Sequence, residues 1–367
     1  NMIEKFDGIP KPKDYELNIF SIISRQEFQT IYKITEIVSK SIREFLMSKG
    51  FREFVPPIIG PVTDPGIRGA KQAEIDFYGK PYKIMSSAIL YKQLLAMSCE
   101  TGKVFFFSPN IRLEPLEAST TGRHLVEFIQ VDLEVRGADH FQVMEIAEQM
   151  IVHTLKDVKR YENELKKCWE EFLGKQKEEV LKFRKEIKIP SLPFKRYTHK
   201  EAVELIKETI KGFPEVLETI KKTFGIVPKR LDERSEIPWE YEWLLSIMHD
   251  EPFFIYDYPK GSRGFYDREY PDKSGILMDF DLIAPEGYGE LISGAAREYE
   301  LEKVIARMKE NGESIQKYEW YLKFLKAHGG PTAGFGIGLE RFVRFITGAP
   351  VVYLVRPYPK IPGYYTP

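Results

Sequence analysis

The chain contains 367 residues with a formal net charge of −1; 43% are hydrophobic and 30% are charged. This composition supports a large buried core, and the near-neutral charge excludes a protein that coats nucleic acids through charge alone. No stretch approaches the ~18 consecutive apolar residues of a transmembrane helix, and the first ten residues lack an apolar signal segment. Two cysteines are too few for a disulfide framework or a cysteine-based zinc site. We therefore expect a cytoplasmic protein that does not contact membranes.

The first third of the chain predicts an extension, a helix and a small number of strands. Residues 1–25 are expected to form an irregular N-terminal extension. Apolar residues at three- and four-residue spacings over 28–45 predict an amphipathic helix that ends at Gly50. The segment FREFVPP predicts a short strand, and residues 104–135 predict two strands joined by a polar loop.

The rest of the chain alternates between charged helical patterns and short strands. Helices are predicted over 141–187, 192–224 and 301–326, strands at PFFIYDY and ILMDFDLIA, and a glycine-rich turn into a helix over 334–346. The pattern indicates an α+β fold, a mostly antiparallel sheet flanked by helices, rather than regular βαβ alternation. The catalytic domain would span residues 26–367, with a helical insertion at about 141–235.

One predicted strand, VEFIQVDLEV, has a polar face. Alternate side chains share a face of a strand, so one face is aliphatic and the other carries Phe128, Gln130, Asp132 and Glu134. Burying such a row is costly unless a polar ligand covers it. A solvated face of an antiparallel sheet is the alternative, and the strand alone does not separate the two.

The segment before this strand, IRLEPLEASTTGRHL, adds groups suited to phosphate. Arg112 and Glu114 are predicted on one face of the preceding strand, and a turn-rich loop then presents Arg123 and His124. A guanidinium group donates paired hydrogen bonds to phosphate oxygens. The combination indicates a nucleotide platform, with scattered surface arginines as the alternative.

A third segment, GFGIGLERF, combines three glycines with Arg341 in the first turn of a helix. Glycines allow the backbone to approach a ligand or a neighbouring strand closely. The spacing is not that of a dinucleotide-binding loop, and no βαβ unit frames it. A glycine-lined strand packed against a helix is the structural alternative.

Together, and in this order, the segments resemble the three signature motifs of class II aminoacyl-tRNA synthetases. GFREFVPP is similar to motif 1, residues 112–134 to motif 2, and GIGLERF to motif 3. Over residues 26–367 the chain resembles the archaeal aspartyl and asparaginyl branch. Two further segments, SSAILYKQLLAMS and GELISGAAREYE, resemble the amino-acid-binding segments of that branch. The resemblance implies an ATP-dependent, AMP-forming ligase, and a homodimer joined through motif 1.

The resemblance also implies roles for individual residues. The ATP site would contain the catalytic arginines Arg112 and Arg341, with Glu114 at the adenine edge, Phe128 stacked on adenine opposite Arg341, Arg123 and His124 at the outer phosphates, and Glu290. Magnesium would be held by Asp281 and Glu290. The amino acid would be held by Ser87, Lys92, Gln130, Asp132, Ser293, Gly294 and Arg297.

The amino-acid side chain is expected to be a carboxylate. Lys92 and Arg297 would both grip it, and two cations on one small group favour aspartate over neutral asparagine. Lys92 is a feature of aspartyl enzymes, whereas the long spacing from Asp281 to Glu290 is more typical of asparaginyl ones.

Three departures from the branch suggest a changed reaction. Only about 25 residues precede the first catalytic helix, where relatives carry an oligonucleotide-binding barrel of ~100 residues. Ile89 stands in place of a substrate-contacting glutamine, and residues 64–72 replace an acidic, glycine-rich loop. These features resemble archaeal asparagine synthetase-related proteins, which adenylate the side-chain carboxylate of aspartate.

The main hypothesis is accordingly an asparagine synthetase that uses aspartate, ATP and free ammonia, with tRNA not expected as the main substrate. One alternative is a truncated aspartyl- or asparaginyl-tRNA synthetase paralogue that acts on tRNA. The other is a non-catalytic regulatory paralogue. The phosphate-facing arginines and metal-type acids argue against the last, because a decayed site would lose such groups first.

Overall fold

The computed structural model describes residues 26–173 and 186–365. The predicted extension over 1–25, and the part of the predicted helix over 174–185, lie outside the described residues. The described α-helices are α1 (Gln26–Ser48), α2 (Ile89–Ser98), α3 (His140–Lys159), α4 (Glu162–Leu173), α5 (His199–Gly212), α6 (Glu215–Phe224), α7 (Trp239–Ile247), α8 (Leu301–Glu310), α9 (Glu319–His328) and α10 (Leu339–Thr347).

The strands form a large sheet and a small one. They are β1 (Arg52–Glu53), β2 (Ile59–Gly60), β3 (Glu74–Phe77), β4 (Lys80–Ile84), β5 (Lys103–Ile111), β6 (Glu127–Arg136), β7 (Lys195–Thr198), β8 (Phe253–Tyr256), β9 (Asp279–Ala284), β10 (Gly289–Ala296) and β11 (Thr332–Gly338). The large sheet has the order β1-β5-β6-β11-β10-β9-β8-β7, and the small one the order β2-β4-β3.

The large sheet is antiparallel through its centre, and only the edge pairs β1–β5 and β7–β8 run parallel. Helices lie on both faces of this sheet. The predicted α+β fold is therefore confirmed.

The core face of the sheet is covered by helices whose apolar stripes match it. In α1, Ile31, Ile34 and Val38 are fully buried, as their spacing predicts, and Gly50 follows the helix with a φ of 85°. The side chains of α1, α3 and α10 pack with the aliphatic residues of β6 and β11 in one continuous cluster. Because strand side chains alternate, this packing directs Gln130 and Asp132 to the opposite face.

The opposite face is only partly covered. Apolar side chains from α2, α8 and α9 form a second cluster there, and a third cluster joins α5, α6 and α7 to β8. The space between these two clusters, above the central strands, is open. The region predicted as an insertion thus contains helix α3, which packs on the main sheet, and α5 and α6, which belong to the separate cluster.

Several elements differ from the sequence predictions. The small sheet and strand β7 were not predicted, because both are built from strands of only two to five residues. The helical pattern over 301–326 forms two helices, separated near Gly312, which has a φ of 70°. Strand β5 ends at Ile111, so Arg112 and Glu114 lie beyond it rather than on its face. None of the helices in the described part of the chain combines the length and apolarity needed to cross a membrane.

Candidate active site

The open face of the large sheet carries a cavity of about 550 Å³. This volume is in the range typical of small-molecule sites. Every residue predicted for the site lines the cavity except Asp281, which is fully buried behind it. Segments separated by more than 200 residues, such as Lys92 and Arg341, therefore meet in one place.

Two predicted arginines stand at the nucleotide end. Arg112 donates from Nε to the backbone oxygen of Ser86 at 3.0 Å, and its guanidinium carbon lies 5.2 Å from the ring centroid of Phe128. Arg341, in the first turn of α10, keeps 27% of its side chain exposed and lies 3.6 Å from a carboxylate oxygen of Glu290. Both side chains are half-buried and face the cavity, so both are available to an anionic ligand.

The loop before β6 is more constrained than the sequence suggested. Arg123 is buried, and its Nη2 donates to Glu242 of α7 at 2.8 Å. A hydrogen bond of 2.7 Å joins the Nδ1 atom of His124 to the Thr121 hydroxyl. Burial, together with the charges of Arg341, Arg123 and Arg112, lowers the pKa of His124 well below its usual value. His124 is therefore neutral at pH 7.

The floor of the cavity is formed by polar side chains of β6 that lie across the glycines of β11. A Cβ atom at Gly336 would lie 2.6 Å from the side-chain amide of Gln130 and 2.7 Å from Asp132 Oδ1. A Cβ atom at Gly334 would overlap the Glu134 carboxylate. The glycines predicted as a close-approach segment thus make room for the β6 side chains.

The amino-acid end is a closed network of charges. Lys92 Nζ donates to Asp132 Oδ1 at 2.8 Å and lies 3.9 Å from Glu134 Oε1. The guanidinium of Arg297 donates to Asp267 Oδ1 at 2.8 Å and to Glu134 Oε2 at 3.3 Å. Lys92 and Arg297 are at most 3% exposed. The two cations are therefore already paired with protein carboxylates, and they do not require a second carboxylate on the substrate.

Two acceptor atoms in this network have no donor. Among the described residues, nothing donates a hydrogen bond to Asp132 Oδ2 or Glu134 Oε1, although both atoms are buried. Buried carboxylate oxygens in folded proteins are usually satisfied. Burial raises the pKa of Asp267 while Arg297 opposes the rise, and the neighbouring carboxylates keep Arg297 charged despite its burial. Of the two, only Asp132 lines the cavity, so the amino-acid end offers one unsatisfied acceptor, Asp132 Oδ2.

The predicted magnesium ligands are occupied by arginines. Arg263 donates from Nη1 and Nη2 to the two oxygens of Asp281 at 3.0 and 2.8 Å. Burial would raise the pKa of Asp281, but Arg263 and Arg68 outweigh it and hold the pKa below its usual value. Burial and the charge of Asp281 raise the pKa of Glu290 to about 7. Within the described ranges, no group of three His, Cys, Asp or Glu side chains is arranged to hold a metal ion. The two carboxylates do not fit a protein-bound magnesium ion in this arrangement.

The remaining predicted residues lie between the two ends. Ser87 is buried at the start of α2, and Ser293 Oγ accepts a hydrogen bond of 2.9 Å from Arg263 Nη1. Gly294 packs against β11, where a Cβ atom would lie 2.5 Å from the Gly334 oxygen.

Sequence reasoning did not identify Arg68, Arg263, Asp267 or Glu242 as site residues. Arg68 belongs to the loop that was noted only for lacking acids, and Arg263 and Asp267 flank the apolar pair Phe265–Tyr266. Their chemistry depends on partners elsewhere in the chain, and no local spacing signals those contacts. The local sequence signal was limited to a charged residue on either side of the aromatic pair.

Comparison with known proteins decides the family. The model of the tRNA synthetases class II (D, K and N) matches residues 12–362. The chain belongs to this family. Its members are ATP-dependent, AMP-forming ligases, so the enzyme class and the resemblance to the aspartyl and asparaginyl branch are confirmed.

Several of the similar proteins are asparagine–tRNA ligases. An asparagine–tRNA ligase from Koribacter versatilis is 31% identical over 89% of this chain and 67% of its own length. The corresponding ligase from Pyrococcus furiosus is 30% identical over 91% and 68%. The crystal structure of asparaginyl-tRNA synthetase from Pyrococcus horikoshii, complexed with asparaginyl-adenylate, has a TM-score of 0.80, 26% identity, and coverage of 98% of this chain and 76% of that chain.

These relatives correct the main functional hypothesis. An asparagine synthetase that passes aspartate to ammonia is wrong for this chain, because the relatives that match most of its length are tRNA ligases. The expectation that tRNA is not the main substrate is wrong for the same reason. The altered positions do belong to the cavity wall. Ile89 lines the cavity and also packs into an apolar cluster, and Asp64, in the replaced loop, lines it and accepts a hydrogen bond from Tyr266.

Proposed function

We propose that this protein activates asparagine with ATP and transfers it to tRNA. The acceptor is proposed from the relatives, which are asparagine–tRNA ligases. The amino acid is proposed from the relatives and from the charges at the closed end of the cavity.

The observation that carries the choice of amino acid is Asp132 Oδ2, a buried acceptor on the cavity wall to which nothing in the described part of the chain donates a hydrogen bond. A ligand that fills this end must bring hydrogen-bond donors. The carboxamide nitrogen of asparagine brings two, and the substrate ammonium brings three. The side-chain carboxylate of aspartate brings none at pH 7 and would face the carboxylate oxygen of Asp132.

The charge balance of the pocket supports the same choice. Lys92 and Arg297 are already paired with Asp132, Glu134 and Asp267, so neither cation is left uncompensated for a second substrate carboxylate. Burying that carboxylate without a cation of its own is unfavourable.

The nucleotide end suits the adenylation step. The α-carboxylate oxygen of asparagine attacks the α-phosphorus of ATP, the bond to the bridging oxygen breaks, and pyrophosphate leaves. Arg112 and Arg341, which line the cavity with partly exposed guanidinium groups, stabilise the charge that gathers on the phosphate oxygens. A tRNA hydroxyl then displaces AMP from the adenylate. We propose that magnesium enters with ATP, on the nucleotide phosphates.

The protein is also proposed to act as a homodimer. The segment after β1 carries Val55, which is 95% exposed, and Ile58, which is 56% exposed, beside an edge strand of the large sheet. Neighbouring exposed apolar side chains favour a contact with another chain, and twofold dimers are the commonest oligomers. Light scattering should give twice the 42.8 kDa of one chain; a monomer at micromolar concentration would contradict this.

The test of the proposed function is the identity of the product. The full chain is incubated with ATP and labelled asparagine or aspartate, with and without total tRNA and with and without ammonium. Asparaginyl-tRNA formed only when tRNA and asparagine are both present supports the proposal. Free asparagine formed from aspartate and ammonium, or aspartyl-tRNA as the sole charged product, contradicts it.

A further inference from the structure

The two acids with the character of metal ligands, Asp281 and Glu290, are covered by two arginines that no sequence motif identified. We propose that the guanidinium groups of Arg68 and Arg263 take the place of a protein-bound divalent cation beside the reacting phosphate. The chain then contributes no metal ligand to adenylation. This inference concerns the nucleotide half of the site and does not depend on which amino acid or acceptor is used.

Arg263 removes Asp281 from the cavity. Its planar fork spans both carboxylate oxygens, the geometry in which arginine binds a carboxylate most strongly. The same Nη1 donates to the Ser293 hydroxyl at 2.9 Å. Only 6% of the Arg263 side chain and 1% of the Asp281 side chain are exposed. A divalent cation could reach Asp281 only by displacing a buried, three-contact arginine.

Arg68 covers Glu290 from the other side. The residue lies in the loop before β3 with a φ of 48°, and Gly69 follows it with a φ of 90°. Its Nη1 is 3.6 Å from Glu290 Oε2, and its Nη2 is 3.4 Å from Glu236 Oε1 and 3.9 Å from Asp281 Oδ2. Arg68 therefore bridges three carboxylates. Because 41% of its side chain is exposed and it lines the cavity, its donors remain within reach of a ligand.

The local charges argue against an additional dication. Arg341 also lies 3.6 Å from Glu290 Oε2, so this single carboxylate oxygen has two guanidinium neighbours. A cation placed between Asp281 and Glu290 would be repelled by the like charges of Arg68, Arg263 and Arg341. Magnesium in nucleotide sites is usually held by one or two carboxylates together with phosphate and water oxygens. Three of the four oxygens of Asp281 and Glu290 already lie 2.8–3.6 Å from guanidinium nitrogens.

The arginines can supply the stabilisation that the cation would give. During adenylation, negative charge accumulates on the oxygens of the α-phosphorus and on the departing pyrophosphate. Arg68 is positioned to donate hydrogen bonds to these oxygens. Arg263 pairs with Asp281, so the negative charge of that carboxylate does not repel the phosphate. Arg68 is thus a catalytic residue in this proposal, and Arg263 is a positioning residue.

The test counts metal ions bound to the full-length chain. Manganese is titrated into the protein and its unbound fraction is followed by electron paramagnetic resonance, first alone and then with α,β-methylene-ATP. We expect no binding to the unmodified chain alone up to millimolar concentration, and one ion per bound nucleotide with the analogue. Arg68→Gln, on a partly exposed loop, should gain manganese affinity by about tenfold or more, because it removes a positive charge beside Glu290.

A matched substitution at an exposed site, Arg160→Gln, should leave metal binding unchanged. Arg263→Gln should also gain affinity for manganese. Circular dichroism shows whether this buried substitution unfolds the protein. If it does, Arg68→Gln alone decides the outcome. Two results overturn the proposal. One is micromolar manganese binding by the unmodified chain that Asp281→Asn abolishes. The other is unchanged manganese binding in folded Arg68→Gln.

Discussion

The two ends of the cavity use the same kinds of cation in opposite ways. At the nucleotide end, Arg112 and Arg341 are partly exposed, and Arg341 approaches its nearest carboxylate only to 3.6 Å. At the amino-acid end, Lys92 and Arg297 are at most 3% exposed and are hydrogen-bonded to carboxylates at 2.8 Å. Arg112 and Arg341 are available for a ligand, whereas Lys92 and Arg297 are part of the folded structure. The buried nucleotide-end arginines Arg123 and Arg263, each bonded to a carboxylate at 2.8 Å, resemble the second pair.

This difference teaches how a charged residue in a binding site should be interpreted. A cation implies an anionic ligand only when its charge is not already compensated by the protein. At the amino-acid end the two cations are fully paired, and the group left for the ligand is an acceptor, Asp132 Oδ2. The four predictions below test the contrast between the two ends, starting with the largest expected effect.

The largest effect is expected from Lys92→Met. Removing this cation leaves Asp132 buried without its partner, and breaking a buried pair in this way costs about 3–5 kcal/mol of folding free energy. Chemical denaturation measures the change. The matched control is Lys40→Met, which breaks an exposed pair with Glu44 and should cost at most about 1 kcal/mol. Equal losses in the two variants would show that the amino-acid end is not a structural network.

At the nucleotide end, Arg341→Ala should reduce activity rather than stability. Loss of one charge-stabilising donor typically lowers kcat by about 10²–10³-fold. Pyrophosphate exchange measures the activity, and thermal unfolding should show the same midpoint as the unmodified protein. Arg160→Ala, an exposed arginine 78% accessible in its side chain, serves as the control with unchanged exchange. Full activity in Arg341→Ala would remove this residue from the phosphate site.

The sequence supplied the fold and most of the site, but not this contrast. Periodicity was sufficient for α1 and for the two faces of β6, because both signals are local. The partner of Lys92 is 40 residues away, and that of Arg297 at Glu134 is 163 residues away. Nothing in the segments around Lys92 and Arg297 indicates that their charges are already compensated, so aspartate was the natural expectation. Arg68, Arg263 and Asp267 were missed for the same reason.

The third prediction concerns Asp267, whose charge compensates Arg297. Asp267→Asn keeps the shape of the side chain but frees part of the Arg297 charge for a substrate carboxylate. The ratio of kcat/KM for aspartate to that for asparagine should rise by about tenfold or more, given the strength of a nearby charge in a buried site. Asp272→Asn, at an exposed position, is the control. An unchanged ratio in folded Asp267→Asn would mean that Asp267 has no part in selectivity.

The smallest effect concerns His124, whose pKa is lowered by burial and by three surrounding arginines. A histidine with a lowered pKa in the folded state destabilises the protein as pH falls below about 6.5, its value in the unfolded chain. Arg341→Ala removes one of the repelling charges, so the pKa of His124 should rise, which NMR titration of the imidazole protons would detect. His249, whose pKa is lowered mainly by burial, should not change. An unchanged pKa of His124 in this variant would mean that Arg341 lies too far away to influence the imidazole.

The most direct test of the account is the amino-acid selectivity of the unmodified protein. ATP–pyrophosphate exchange is measured with asparagine and with aspartate over a range of concentrations, without tRNA, and kcat/KM is compared. A pocket that offers the acceptor Asp132 Oδ2, and whose cations are already paired with protein carboxylates, should favour asparagine by about tenfold or more. Equal exchange with the two amino acids, or a preference for aspartate, would contradict the claim that Lys92 and Arg297 are fully compensated by the protein.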